Sequence, residues 1–388
     1  MSTFTREVVP RAPALDVDAL LDNRDIRVLV CCGSGGVGKT TTAAAIALRA
    51  AERGRSVVVL TIDPARRLAQ SLGLTELDND PRPVVGVDGT GTLDAMMLDM
   101  KRTFDEFVES NADAERAGTI IANPFYQSLS SSFAGTQEYM AMEKLGQLRA
   151  RSEAEDRWDL IVVDTPPSRS ALDFLDAPRR LGSFLDGRFL RILAAPAKAG
   201  GRAYMKVITA GFGVFTNVLS RVIGGQVLTD IQTFVGSVDT LFGGFRQRAD
   251  ETFHMLQAPD TAFLVVAAPE RDALREASYF VERLESDNMP LAGLVLNRVQ
   301  TTTVPELDVA TATAAAARLE THSGTSVTAA LLRIHADRVA TLNRQRRMAE
   351  RFTSVHRTIE IATVPVLPTD VVDLDGLRLV GQALADRL

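Results

Sequence analysis

The residues best equipped for chemistry stand together: Gly33, Ser34, Gly35, Gly36, Val37, Gly38, Lys39, Thr40 and Thr41. The spacing is that of a phosphate-binding loop, G-x-x-x-x-G-K-[ST]. Glycines let the backbone turn so that successive N–H groups face inward toward phosphate oxygens. A lysine at position 39 bridges the β- and γ-phosphates, and the Thr40 hydroxyl is a ligand for Mg²⁺. Thr41 falls near the α-phosphate. The ligand such a set takes is a nucleoside triphosphate with magnesium.

The elements that must hold this loop are legible on both sides. An apolar run, Ile26 to Cys32, precedes it, and an alanine-rich segment, Thr42 to Arg53, follows. Strand, loop and helix in that order put the positive end of a helix dipole, starting at Lys39, at the phosphates. A dinucleotide-binding reading fails, because that fingerprint has no lysine where Gly-Lys-Thr opens this helix.

Two carboxylates follow apolar strands and so face the same sheet edge as the loop. Ser56 to Ile62 ends in Asp63-Pro64-Ala65. Asp63 is a candidate to orient the attacking water, or the N-cap of a helix whose first residue is Pro64; spacing leaves both open. Leu160 to Val163 ends in Asp164-Thr165-Pro166-Pro167. An acid after an apolar strand, downstream of a P-loop, is the Walker-B arrangement that holds Mg²⁺ directly or through water.

Composition narrows the class. The 388 residues are 46% hydrophobic and 24% charged, with a net charge of −6, an ordinary globular balance with no bulk attraction to nucleic acid. Arginine supplies nearly all the basic charge; Arg338, Arg344, Arg346, Arg347, Arg351 and Arg357 read as a solvated helix face, so no nucleic-acid partner is expected. Cys31 and Cys32 are adjacent, which excludes a disulfide framework and a Cys-x-x-Cys site. The four histidines are scattered, and no zinc is expected. The longest uncharged, mostly apolar stretch, Val207 to Ser220, is too short to cross a bilayer. With no signal-peptide pattern, the expected location is cytoplasmic.

Along the chain, residues 1–25 are polar and proline-punctuated and read as a loose arm. Further strands are expected at Thr92–Asp99, Ala262–Ala267, Leu291–Leu296 and Thr358–Val364. Helical patterns cover Lys101 to Arg157, where Tyr139, Met140, Met142 and Leu145 recur at helix spacing, then Asp272 to Glu285 and residues 305–352. Between Ser168 and Asp250, glycines interrupt amphipathic helices, the clearest stripe including Leu228, Ile231, Phe234 and Leu241. That stripe is either a subdomain's own core or a groove for a hydrophobic partner. The expected fold is α/β: a mostly parallel twisted sheet flanked by helices, in one discontinuous P-loop domain over residues 26–388. Its core takes residues 26–100, 158–168 and 256–388, and a helical subdomain of about 101–157 and 169–255 is inserted.

The loop Gly33–Thr41, then Thr61-Ile62-Asp63-Pro64-Ala65, Ala134-Gly135-Thr136-Gln137-Glu138, Val163-Asp164-Thr165-Pro166-Pro167-Ser168 and Asn297-Arg298 recur in a familiar order. Together they resemble the ArsA/GET family of arsenite-pump and tail-anchored-protein targeting ATPases, over residues 26 to 388, and within it an actinobacterial anion-transporting-ATPase-like branch. The resemblance implies a SIMIBI-class P-loop NTPase with a deviant Walker A, binding ATP or ADP with Mg²⁺. It implies that Asp63 polarises the hydrolytic water and that Thr40, Asp63 and Asp164 surround the metal. Asn297, with Arg298 beside it, would read the adenine edge, and Pro365-Val366-Leu367-Pro368 would pack the base. ATP would open and close a dimer that handles a hydrophobic client such as a tail-anchored membrane protein, at times peripheral to a membrane.

Three departures stand out. The family loop reads G-K-G-G-V-G-K-T, and its first lysine reaches the partner's phosphates; here that position is Ser34. The zinc-holding Cys-x-x-Cys and the arsenite-binding cysteines have no counterparts. Two arrangements follow: a slow homodimer, or a heterodimer with a paralogue that supplies the lysine. Arg66, Arg67 and Arg169 are candidate substitutes. Alternatives to client handling are the energy-coupling ATPase subunit of an anion pump and a slow nucleotide-sensing regulator.

Overall fold

The apolar run before the glycine loop forms β1 (Val28–Cys32), all five residues buried, inside an eight-stranded sheet in the computed structural model of the chain. The structure describes residues 12–62, 67–124, 126–127, 130, 136–166, 247–321 and 326–386. Asp63, Arg66, Arg169 and the stretch from Leu172 to Phe245, for which glycine-interrupted helices are expected, lie outside them.

The strands are β2 (Ser56–Thr61), β3 (Arg82–Pro83), β4 (Thr92–Met97), β5 (Leu160–Asp164), β6 (Thr261–Ala267), β7 (Leu291–Val299) and β8 (Ile361–Pro365). They lie in the order β3-β4-β2-β5-β1-β6-β7-β8. Every pairing is parallel except β3 with β4. Parallel strands covered on both faces need apolar residues at every position rather than alternation, and β1, β5 and β6 are buried throughout. This is the α/β architecture that the sequence pattern predicts.

Helix α2 (Lys39–Glu52) leaves the glycine loop and packs a run of alanines, Ala43 to Ala47 with Ala50 and Ala51, into the core. Small side chains let its backbone approach closely: a Cβ on Gly381 of the C-terminal helix would lie 3.5 Å from the Ala45 carbonyl oxygen. That helix (Leu374–Ala385) buries Leu377, Val380 and Leu384 beside α2.

The chain divides into two compact units. One comprises Met1–Met97, Arg151–Ala171 and Leu256–Leu388 and carries the sheet; the other comprises Leu98–Ala150 and Leu172–Met255. In the second, the helices Met100–Asn111 and Ala114–Ile121 are N-capped by Asp99 and Asp113, whose carboxylates accept from Arg102 N and Arg116 N. Their buried faces include Phe104, Phe107 and Ile120. Tyr139, Met140, Met142 and Leu145 are buried on the helix Thr136–Glu155, as their spacing requires. Nearby, the Arg248 guanidinium stacks 4.5 Å over the Phe107 ring and its Nε donates to Glu143 at 3.2 Å.

Several expectations change. The stretch read as a loose arm contains α1 (Val17–Asp22), with Leu15, Val17 and Leu21 buried. Six residues are too few for a clear helical period, and the acids that make the segment look solvated are ion-paired: Arg49 binds Asp18 at 2.6 Å, and Arg53 binds Asp18 and Asp22. Strand β7 does not stop at Leu296 but runs through Asn297 and Arg298 to Val299; two polar residues break the apolar run without ending the strand. The stretch read as helical over residues 305–352 forms two helices, Val309–Glu320 and α9 (Ser326–Val355), the ninth of the described helices, which runs three residues further.

Candidate functional site

Loop Gly33–Gly38 begins where β1 ends, and its glycines are fixed by their neighbours. Gly33 has φ +148°, and a Cβ there would fall 2.1 Å from the Val266 carbonyl oxygen of β6. Gly38 caps α2 in the left-handed region, φ +94°, where a Cβ would fall 2.3 Å from Asn297 Nδ2. Side chains are excluded at both, so the backbone can pass closely and turn its N–H groups into the loop.

Lys39 opens α2 and is buried. Its Nζ donates to the Ser34 carbonyl oxygen at 3.0 Å, so the ammonium lies across the mouth of its own loop. The Ser34 side chain is not required for that contact. Thr40 and Thr41 are partly exposed in the first turn of α2, at the positive end of its dipole.

Asp164 closes β5 and is fully buried. The register sets Asp164 level with Cys31 on β1 and Thr61 on β2. Across this row, Thr61 Oγ1 donates to Asp164 Oδ2 at 2.8 Å, Thr165 Oγ1 donates to the Cys31 carbonyl at 2.9 Å, and Ile62 N donates to the Asp164 carbonyl at 3.0 Å. The carboxylate is therefore held at the carboxyl ends of the strands, the edge where ligands bind in open parallel sheets. Thr61 is a positioning group that the sequence reading left without a role; a lone polar residue at the end of an apolar strand is its signal.

Asn297, on β7, donates from Nδ2 to the Val37 carbonyl at 2.8 Å and accepts from Arg298 N at 2.9 Å. Arg298 takes φ +60° there. The carboxamide thus pins the P-loop to β7, a tie across 260 positions that sequence reading did not anticipate. Pro365, Val366 and Leu367 leave the carboxyl end of neighbouring β8, with Val299 opposite Pro365 and Val366 N donating to the Val299 carbonyl at 3.0 Å. Val366 is exposed, and Leu367 packs against the core. Loop, Asp164, Asn297, Arg298 and the Pro365–Leu367 segment therefore share one sheet edge.

Burial pushes both thiols up: Cys31 well above its ordinary value, helped by the neighbouring Asp164 charge, and Cys32 to about 12, opposed by Lys39. They remain protonated packing groups. A cavity of about 390 Å³ beside Thr92, Asp94, Arg157 and Trp158 opens at the amino ends of β4 and β5, away from this edge. No cluster of three or more His, Cys, Asp or Glu among the described residues is arranged to hold a metal ion.

The sequence model of one family, described as "Anion-transporting ATPase", matches residues 26–321, most of the chain. The chain belongs to the ArsA ATPase family. Its mostly parallel eight-stranded sheet with a glycine loop after a central strand is the P-loop architecture of that family. The chain is also 26% identical to ATPase GET3 of Malassezia globosa over 302 residues, 77% of this chain and 80% of that protein. ATPase get3 of Schizosaccharomyces pombe is 26% identical over 285 residues, 73% of this chain and 76% of its own length. ATPase GET3 of Podospora anserina is 26% identical over 301 residues, again 77% and 80%. No described helix of this ArsA-family chain is long and apolar enough to cross a membrane.

Proposed function

We propose that this chain binds and hydrolyses ATP at the P-loop edge and couples nucleotide turnover to the handling of a hydrophobic client, such as a tail-anchored membrane protein, as a dimer. The observation that carries the reading is the buried Lys39 ammonium lying over a glycine-built loop, beside the buried Asp164 carboxylate at the end of β5. The donors near the loop are hard oxygens, Thr40 Oγ and the Asp164 carboxylate, a set suited to Mg²⁺. When bound, that ion would supply positive charge against the β- and γ-phosphate oxygens.

The residues of the chain do the rest. Lys39 exchanges the Ser34 carbonyl for phosphate oxygens. The loop amides and the α2 dipole bind the triphosphate tail. Thr61 orients Asp164. Asp63 follows the end of β2 and orients the attacking water. Pro365, Val366 and Leu367 flank the base with Asn297 and Arg298 beside it; Asn297, already bonded to Val37, retains one amide proton for a purine edge. Ser34 brings no ammonium to the phosphates of a partner, so turnover is slow.

Calorimetry with Mg·ATP and phosphate release test the core of this reading. Lys39→Ala abolishes tight binding, Asp63→Asn retains binding and loses turnover, and a transmembrane peptide stimulates the parent chain. Unchanged binding and release in Lys39→Ala would remove the reading.

A second reading, the energy-coupling subunit of an anion pump, draws on the family's description. Stimulation by an oxyanion and not by peptide would favour it. Metalloid capture by Cys31 and Cys32 gains no support, since both thiols are buried and protonated.

A further inference from the structure

The cavity at the amino ends of β4 and β5 carries a charge pair for which the phosphate-binding edge has no use. Asp94 on β4 is 8% exposed, and its Oδ2 accepts from Trp158 Nε1 and from Arg157 Nη2, both at 2.9 Å. Oδ1 accepts no hydrogen bond from the described residues, so the oxygen left to the cavity is an acceptor without a donor. The Arg157 guanidinium lies 4.6 Å over the Trp158 ring. Among the described residues it donates through Nη2 alone, which leaves Nε and Nη1 for an incoming acceptor.

The surroundings hold these groups in place. Asp156 takes φ +50° in the turn after the helix Thr136–Glu155, and Ser152 Oγ donates to the Trp158 carbonyl, which fixes the entry to β5. The chain from Val84 to Gly91, another wall, is tied down by Arg378. That side chain donates to the Gly86 carbonyl at 2.6 Å and pairs with Glu52 at 2.7 Å and Asp88 at 3.1 Å. The cavity therefore stands preformed. Val84, Val87 and Leu93 supply apolar lining, and a volume of about 390 Å³ is at the small end of ligand sites, room for one small molecule.

These features select the occupant. An anion alone would meet the Asp94 carboxylate, and a cation alone the Arg157 guanidinium. A wholly apolar molecule would strip Oδ1 of water without giving it a donor. An ammonium and a carboxylate a short span apart, with an apolar side group, answer every demand of the lining. We propose that this cavity binds a free α-amino acid with a medium-sized apolar side chain. Its ammonium sits on Asp94 Oδ1, its carboxylate on Arg157 and its side chain against Val84, Val87 and Leu93.

Trp158 is the only tryptophan in the chain, so its fluorescence reports on this cavity. Titration of the full chain with L-leucine, repeated by calorimetry, tests the proposal. Leucinamide, which lacks the carboxylate, and N-acetyl-leucine, which lacks the ammonium, are the comparison ligands. L-leucine changes the emission saturably, and each comparison ligand binds at least about tenfold more weakly. Asp94→Asn, close in shape and still an acceptor for Trp158, weakens L-leucine about tenfold. Thr92→Phe, at an exposed position two residues from Asp94 on the same sheet face, fills the mouth and abolishes binding. Both variants keep the ATP binding of the parent, and Thr92→Phe keeps its circular dichroism spectrum. No saturable signal or heat up to about 10 mM L-leucine overturns the proposal. So does equal binding of leucinamide or N-acetyl-leucine, which would assign the cavity to one end of a peptide chain. Binding of L-leucine that either variant leaves intact overturns it too.

Discussion

Asn297→Ala separates anchoring of the P-loop from recognition of the base. The carboxamide makes two hydrogen bonds, 2.8 Å to the Val37 carbonyl and 2.9 Å from Arg298 N, at a residue 9% exposed. Each contributes about 1 kcal/mol net, with some further cost where the abandoned partner stays dry. Val37 is buried, so its carbonyl is the costlier of the two to abandon. The expected loss is about 2–3 kcal/mol of folding stability, or about 3 °C in Tm for a chain of this length. Freed from β7, the turn at Val37 and Gly38 no longer presents its amides in one arrangement, and the Kd for ATP rises about tenfold. Because the damage lies under the phosphates, GTP weakens by the same factor. Thermal unfolding followed by circular dichroism, with calorimetric titration of both nucleotides, reads all three quantities. If Tm stays within about 1 °C while ATP alone weakens, Asn297 reads adenine without holding the loop, and the reasoning fails.

Thr61→Val, nearly equal in shape, removes the 2.8 Å hydrogen bond to Asp164; the Mg²⁺ concentration for half-maximal phosphate release should rise several-fold, and an unchanged Mg²⁺ titration would leave Thr61 a packing role alone. Arg55 is 1% exposed, with Nε on Asp159 at 2.7 Å and its terminal nitrogens on the Leu21, Ile26 and Asp159 carbonyls. Arg55→Ala should cost about 3–4 kcal/mol in denaturant unfolding while ATP binding by the folded fraction is retained. The Asp18 carboxyl is held below its ordinary 3.8, chiefly by hydrogen bonding from Arg49. Its contribution is therefore complete above the unfolded value and is lost as pH falls through the lower folded one. Asp18→Asn should destabilise the chain at neutral pH and make stability less steep in acid below about pH 4; an unaltered acid profile would count against the pair.

The phosphate-binding edge was legible because each of its parts has a strong local cause. An unbroken run such as Val28 to Cys32 suits a strand covered on both faces, and Gly-Lys-Thr after it specifies the loop. Asp164 was readable because its carboxylate follows such a run directly. What escaped depends on distant partners or on very short segments. Nothing near Asn297 announces Val37, and Thr61 gains its meaning from the register with Asp164. Helix α1 is too brief for a period, and β3, two residues long, takes its identity from antiparallel pairing with Asp94 and Ala95. Asp63, assigned from its strand-end position, lies outside the described residues, so its role remains a proposal tested by Asp63→Asn.

β8 lies last in the sheet, where a strand's outer row of amides and carbonyls would otherwise invite a foreign chain. Here Leu15 N donates to the Ile361 carbonyl and Ile361 N to the Pro13 carbonyl. The short N-terminal stretch is thus a lid on adhesion, keeping the rim of the sheet from recruiting neighbours. Rim and lid both fall outside residues 26–321, the span that the family's sequence model matches. The physics binds their fates: a homologue that discards the lid must either lose the outermost strand or find another way to blunt it.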